Sequence, residues 1–263
     1  MANLQEVSHG EGFDYERGSP HLKHAHLRAK VSDSLRRSAQ TILGQRGECR
    51  VLEIGAGHGD FTDVLLGTGA SVTVTEMSRP SAQVLQSRYQ RNPRVEVVVD
   101  HDGDWIFNTD RPFDMVAAVS VLHHIPDYLS FIGRAVELLS LGGSFVSWQD
   151  PLYYPRRSQA ERAADRIFYL AWRLGQGELS KGVSTRWRRV RGVYDESNPS
   201  DMVEYHVVRD GVDEEAIRKL LEPKFGEVRI LPYWSTQSRM GQRIGDRLGL
   251  ETTFGIVADQ RRD

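Results

Sequence analysis

The run Val51-Leu52-Glu53-Ile54-Gly55-Ala56-Gly57-His58-Gly59-Asp60 leads a buried apolar segment through a glycine turn into a helical one. Glycines permit both a tight turn and close approach of a ligand to the backbone. A dinucleotide fingerprint, G-x-G-x-x-G, leaves the following helix N-terminus free for a pyrophosphate. Here Asp60 occupies the third position of that pattern and Gly59 comes one residue early. An acid there repels phosphate, and Glu53, two residues before Gly55, adds a carboxylate at the mouth of the strand. The spacing therefore predicts a cation-bearing ligand rather than a pyrophosphate.

Three later segments bear on the same site. Ser71-Val72-Thr73-Val74-Thr75-Glu76 ends in an acid about twenty residues after the first glycine, where a carboxylate can accept both hydroxyls of a ribose. Asp100-His101-Asp102-Gly103-Asp104-Trp105 offers a carboxylate and a backbone N–H to an adenine edge; Asp100, Asp102 and Asp104 compete, with Asp102 and the Gly103 amide favoured. Ser120-Val121-Leu122-His123-His124-Ile125-Pro126-Asp127 then places two imidazoles at the open end of a fourth strand. An acidic mouth, a ribose acid and an adenine site together suit S-adenosylmethionine, whose ammonium and sulfonium are positive.

Positioning these residues requires strands that end together. Short β-branched runs at Arg50–Ile54, Ser71–Glu76, Arg94–Val99, Phe113–Val119 and Ser144–Trp148 alternate with amphipathic stretches, as in strand-helix units of a parallel sheet. Asp127 caps a helix carrying Leu129, Ile132, Val136 and Leu139, and Gly142-Gly143 is expected to end it. A second helix opens at Asp213 and runs through Leu221. Val228–Leu231 and Thr252–Val257 read as closing strands. In the interruption from Pro151 to Asp210, Ser158 and Glu161 form a capping box for a helix that Gly175 stops. From Arg156 to Arg191 there are ten basic residues against three acidic ones, a local charge of +7.

With 263 residues, 39% hydrophobic and 27% charged, the chain is long enough for a sizeable core and fits a globular class. No apolar run reaches the ~20 residues of a spanning helix, and Met1–Gly18 lacks an export pattern; a cytoplasmic protein with no membrane partner is expected. One cysteine, Cys49, excludes an internal disulfide and a multi-cysteine zinc site, and no metal is expected. A net charge of −2 argues against general attraction to nucleic acid.

On the E-x-G-x-G-x-G run, the acid ending the second strand and V-L-H-H-x-P-D, the sequence resembles the class I S-adenosylmethionine-dependent methyltransferases, in particular the group acting on small molecules such as natural products. The resemblance covers roughly Gly47 to Pro151 closely and the C-terminal strands loosely. It implies an α/β, Rossmann-like, doubly wound sheet of seven strands in the order 3-2-1-4-5-7-6, the seventh antiparallel. Around it are expected an N-terminal helical cap (1–44), a core (45–150), a helical lid inserted between strands five and six (151–210) and a C-terminal completion of the sheet (211–263). The expected cofactor set is Glu53, Gly55, Ala56, Gly57, Glu76, Met77, Asp102, Gly103 and Ser120, with S-adenosylhomocysteine as product.

Adjacency of strands four and five, also implied by the resemblance, brings Asp150 to the rim that holds His123 and His124. A positioned imidazole can take the proton of a hydroxyl acceptor, and Asp150 can orient it or accept the proton itself. These three are the catalytic candidates. Trp148, Tyr153, Trp172 and His206 are the candidate acceptor-binding residues, since aromatic walls with polar tips suit a bulky small molecule. O-methylation of a secondary metabolite is the favoured reading. N- or C-methylation, RNA methylation through Arg186-Trp187-Arg188-Arg189, and a non-catalytic cofactor-binding scaffold stay open, as does a homodimer.

Overall fold

The computed structural model describes residues 19–175 and 210–263. Seven strands, β1 (Arg50–Ile54), β2 (Ser71–Glu76), β3 (Val95–Val99), β4 (Phe113–Val119), β5 (Leu139–Pro151), β6 (Phe225–Tyr233) and β7 (Thr253–Arg261), form one sheet in the order 3-2-1-4-5-7-6. β1 pairs in parallel with β2 and β4, β2 with β3, and β4 with β5, whereas β7 runs antiparallel between β5 and β6. The expected strand order and the single reversed strand are both present. The C-terminal ends of β1, β2, β4 and β5 consequently open on one rim.

Successive side chains of a strand point to opposite faces, so a sheet covered on both sides needs apolar residues at every position. Val51, Met115, Ala117 and Val146 feed one core with Leu27, Val31 and Leu35 of α2 (Ala25–Arg46). Leu52, Val116, Ala118 and Phe145 feed the other, with Ile132 and Val136 of α6 (Tyr128–Glu137) and Ile217 of α8 (Glu214–Leu221). The remaining helices are α1 (Pro20–Lys23), α3 (Asp60–Leu66), α4 (Arg79–Tyr89), α5 (Trp105–Asn108), α7 (Gln159–Gly175) and α9 (Arg239–Leu248).

Three expected caps form as read. Asp127 accepts from the Ser130 N–H, Asp213 from the Ala216 N–H, and Ser158 and Glu161 bond each other's backbone N–H groups. One stop signal acts differently. α6 ends at Glu137, and Gly142-Gly143 lies within β5, which therefore starts earlier than Ser144. A Cβ on Gly143 would sit 2.7 Å from the Asp114 carbonyl oxygen, so the glycine serves the approach of β5 to β4. β6 and β7 are likewise longer than their apolar cores, and α2 continues through Arg46 to Gly47 at φ 77°.

α9 was not foreseen; its Gly241 and Gly245 carry low helix propensity. In the fold they are contact points: a Cβ on Gly245 would fall 2.3 Å from Trp234 Nε1 and one on Gly241 2.8 Å from Phe168. Among the described residues no helix is long and apolar enough to cross a membrane, and no cluster of metal-ligating side chains occurs.

Candidate active site

The glycine loop leaves β1 with three residues in the left-handed region, Gly55 (φ 65°), Gly57 (φ 57°) and Gly59 (φ 90°). Packing as well as conformation demands glycine at two of them. A Cβ at Gly55 would lie 2.8 Å from Val121 Cγ2, and one at Gly59 2.6 Å from the Tyr89 hydroxyl. Gly55 is exposed on the rim, with Ala56 and Gly57 half-buried beside it.

Glu53 does not supply the acidic mouth expected of it. Its carboxyl is buried and accepts the Thr62 hydroxyl at 2.6 Å. Burial, opposed by that bond, pushes its pKa up to about 8, so the neutral acid is favoured at pH 7. The carboxylate that borders the loop is Glu76. Its Oε2 accepts the Gly57 N–H at 3.0 Å and its Oε1 the Ser78 N–H at 2.9 Å. Burial raises its pKa while these two N–H donors oppose the rise. Each oxygen keeps a lone pair for a further donor.

In the third loop the competition between aspartates is resolved structurally. Asp100 Oδ1 accepts the Asp104 and Trp105 N–H groups at 3.1 and 3.2 Å and holds the turn, while Asp102 is exposed. Gly103, at φ 71°, faces the Met77 thioether, whose sulfur lies 3.8 Å from where a Cβ would stand.

On the other side of the rim, two non-glycine residues occupy the left-handed region, Ser120 (φ 61°) and Gln149 (φ 68°). Such strain persists where the surroundings over-determine it. The Ser120 N–H donates to the Trp148 carbonyl at 2.7 Å, which turns the chain into the 3₁₀ turn Leu122–His124. Gln149 is the extra residue of a bulge, since Trp148 pairs with Gly255 and Asp150 with Phe254. Bulges re-aim side chains at strand ends. Here the neighbour that follows, Asp150, meets His123.

Asp150 is fully buried, and three donors converge on it: His123 Nδ1 at 2.8 Å, the His123 N–H at 3.1 Å and the Ser147 hydroxyl at 2.8 Å. Burial pushes the Asp150 pKa up and the His123 pKa down, both toward the uncharged forms. With its proton on Nδ1, a neutral His123 would give Asp150 a third donor. His124 stacks on His123 with ring centroids 4.0 Å apart.

Ser147 and His21 were missed from sequence. His21 of α1 is buried against Phe61, centroids 5.9 Å apart, and its pKa is lowered to about 4 by burial and then by Arg28. No linear pattern links Pro20–Lys23 to the glycine loop.

The acceptor-binding candidates fare unevenly. Trp148 is only 2% exposed; its Nε1 donates to Ser34 Oγ at 3.0 Å and its ring packs on Tyr233, so it braces α2 against the sheet rather than lining a pocket. Tyr153 is half-buried, with the Arg156 guanidinium 4.7 Å above its ring. Trp172 belongs to α7, but its side chain and the whole of His206 lie outside the described residues.

Residues 52–145 match the methyltransferase domain family. The demethylmenaquinone methyltransferase of Tropheryma whipplei is 31% identical over 122 residues, 46% of this chain and 49% of that protein. The ubiquinone biosynthesis O-methyltransferase of Xylella fastidiosa is 31% identical over 104 residues, 37% and 41% of the two chains. The chain thus spans about half the length, or less, of the curated relatives it matches. The N-methyltransferase NodS of Bradyrhizobium japonicum, solved with S-adenosylhomocysteine, aligns over 100% of this chain and 99% of its own at 17% identity and a TM-score of 0.55. The DszA carbon methyltransferase aligns over 98% and 60%, at 17% identity and a TM-score of 0.58. Residues 52–145 thus match a methyltransferase domain, one dependent on S-adenosylmethionine, and the chain shares the fold of these solved methyltransferases.

Proposed function

We propose that the protein methylates a hydroxyl group of a small-molecule acceptor, with His123 as the general base and Asp150 as the residue that orients it. The His123–Asp150 pair, 2.8 Å apart on the rim onto which β1 also opens, carries this reading, because a carboxyl group that accepts Nδ1–H holds the imidazole in the tautomer a base requires. The rim fits the cofactor. The Gly55–Gly57 backbone offers a cradle free of bulky side chains for the methionine part, and Glu76 offers acceptor oxygens for the ribose. Met77, Asp102 and the Gly103 amide would take the adenine, and Ser120 would meet the cofactor from the end of β4. When bound, S-adenosylmethionine supplies an electrophilic methyl carbon. His123 Nε2 then takes the acceptor's proton, and Asp150, accepting from Nδ1–H, keeps the ring oriented as it does so. Exact alignment of acceptor and donor contributes the larger share of the barrier reduction, up to ~7–11 kcal/mol in ideal cases.

Incubation with methyl-labelled cofactor and matched hydroxyl, amine and carbon acceptors tests the assignment by mass spectrometry. Label on oxygen supports it, and label confined to nitrogen or carbon rejects the hydroxyl acceptor. The ribose role has its own test. Glu76→Ala is expected to weaken S-adenosylmethionine binding about 10–100-fold in calorimetry, as loss of one or two charged hydrogen bonds would. Unchanged affinity in a folded variant would remove Glu76 from the cofactor site.

A further inference from the structure

We infer that α9 is a docking surface for an anionic lipid bilayer. At about 100° per residue, Met240, Ile244 and Leu248 form one stripe along this helix, and Arg239, Arg243 and Arg247 form the stripe beside it. Gly241, Gln242 and Gly245 face the protein, closing on Phe168 and Trp234. Both stripes are left facing outward: Met240 is 66% exposed, Ile244 37% and Leu248 67%. On α7, Ile167 is 62% exposed, and its neighbour in sequence Phe168 packs across Gly241 of α9.

The three arginines are exposed, and among the described residues none is in an ion pair. The helix has one acid, Asp246, which takes bonds from Gln242 Nε2 at 2.9 Å and His26 Nε2 at 3.1 Å. In a chain of net charge −2 this is a local cationic row laid along an apolar one. Apolar side chains immersed at the acyl boundary, with guanidinium groups level with anionic headgroups, satisfy both rows at once. A second copy of the chain would not. A two-fold interface sets the same patch against itself, and arginine would meet arginine. Nucleic acid would answer the arginines and leave the apolar stripe in water.

The surface lies at the rim that holds the site. β6 delivers the chain to α9 from Tyr233, whose hydroxyl donates to Gln149 Oε1 at 2.9 Å, one residue from Asp150. The expectation of no membrane partner rested on the lack of a spanning segment and of an export pattern, and a surface helix needs neither.

Co-sedimentation with extruded vesicles tests the inference. The protein is expected to pellet with equal parts phosphatidylcholine and phosphatidylglycerol, and not with phosphatidylcholine alone. Arg243→Gln with Arg247→Gln should weaken binding about 30-fold, at ~1 kcal/mol for each arginine, and flatten its salt dependence. Met240→Ser with Leu248→Ser should weaken it at least about 10-fold. Leu141→Ser, at a 54% exposed apolar residue on the opposite rim, should change nothing. Failure to pellet with the anionic vesicles, equal loss in Leu141→Ser, or binding that neither α9 pair alters would overturn it. So would a solution dimer that Met240→Ser with Leu248→Ser dissociates, which would assign the face to a second copy.

Discussion

Asp150→Asn is expected to lower kcat about 10²–10³-fold while leaving S-adenosylmethionine affinity within about threefold, the range that positioned acid–base groups supply. The asparagine amide can donate to His123 Nδ1, which drives the ring proton to Nε2 and blocks the base. His123→Ala should produce a comparable loss by removing the base itself. The double variant should then be no worse than either single one, since groups that act as a unit are not additive. His124→Ala, which removes the ring stacked on His123, should cost less. The pH profile adds a second readout. Burial lowers the His123 pKa, so the free enzyme keeps its base unprotonated below the ordinary histidine value near 6.5. The acid limb of kcat/KM should accordingly fall below that value. Single-turnover rates and cofactor titrations separate these effects. Near wild-type turnover in both Asp150→Asn and His123→Ala would leave alignment alone as the catalytic device.

Local rules decided most of what the sequence made legible. β1, β2 and β4 are β-branched runs buried on both faces, and their bounds follow from composition. The caps at Asp127, Ser158 and Asp213 depend on residues three positions apart. What escaped depends on partners far along the chain. The bulge at Gln149 exists because β7, about a hundred residues later, pairs antiparallel with β5, and only the bulge turns Asp150 onto His123. α9 escaped because its glycines are set by Trp234 and Phe168 rather than by helix propensity. Trp148 carried a signal that was passed over. It lies two residues after Val146, hence on the same face of β5, which packs on α2. Glu53 is the harder case, since an acid one residue from a strand end reads as a rim group. Thr62, on the helix beyond the loop, draws it inside.

That inward turn of Glu53 has a thermodynamic signature in the protein without cofactor. The folded chain keeps the Glu53 proton up to about pH 8, whereas the unfolded chain releases it near 4.5. Between those limits the folded state binds more protons, so stability from this group is full below pH 4.5 and is lost as pH rises toward 8. Each pH unit of that window corresponds to about 1.4 kcal/mol, which makes the whole effect on the order of 5 kcal/mol. Glu53→Gln keeps the size and the acceptor for the Thr62 hydroxyl but cannot ionise. Urea midpoints of the two proteins should differ by a constant amount below pH 4.5. Above it the difference should move steadily in favour of the glutamine variant and level off beyond pH 8. His21 acts in the opposite sense, its contribution being lost as pH falls from 6.5 toward 4, but it is common to both proteins and cancels in the comparison. A gap that stays constant from pH 4 to 9 would mean that Glu53 is ionised in the folded chain. The negative charge would then stand at the glycine loop itself, and Glu53 rather than Glu76 would be the acid that selects a cationic cofactor.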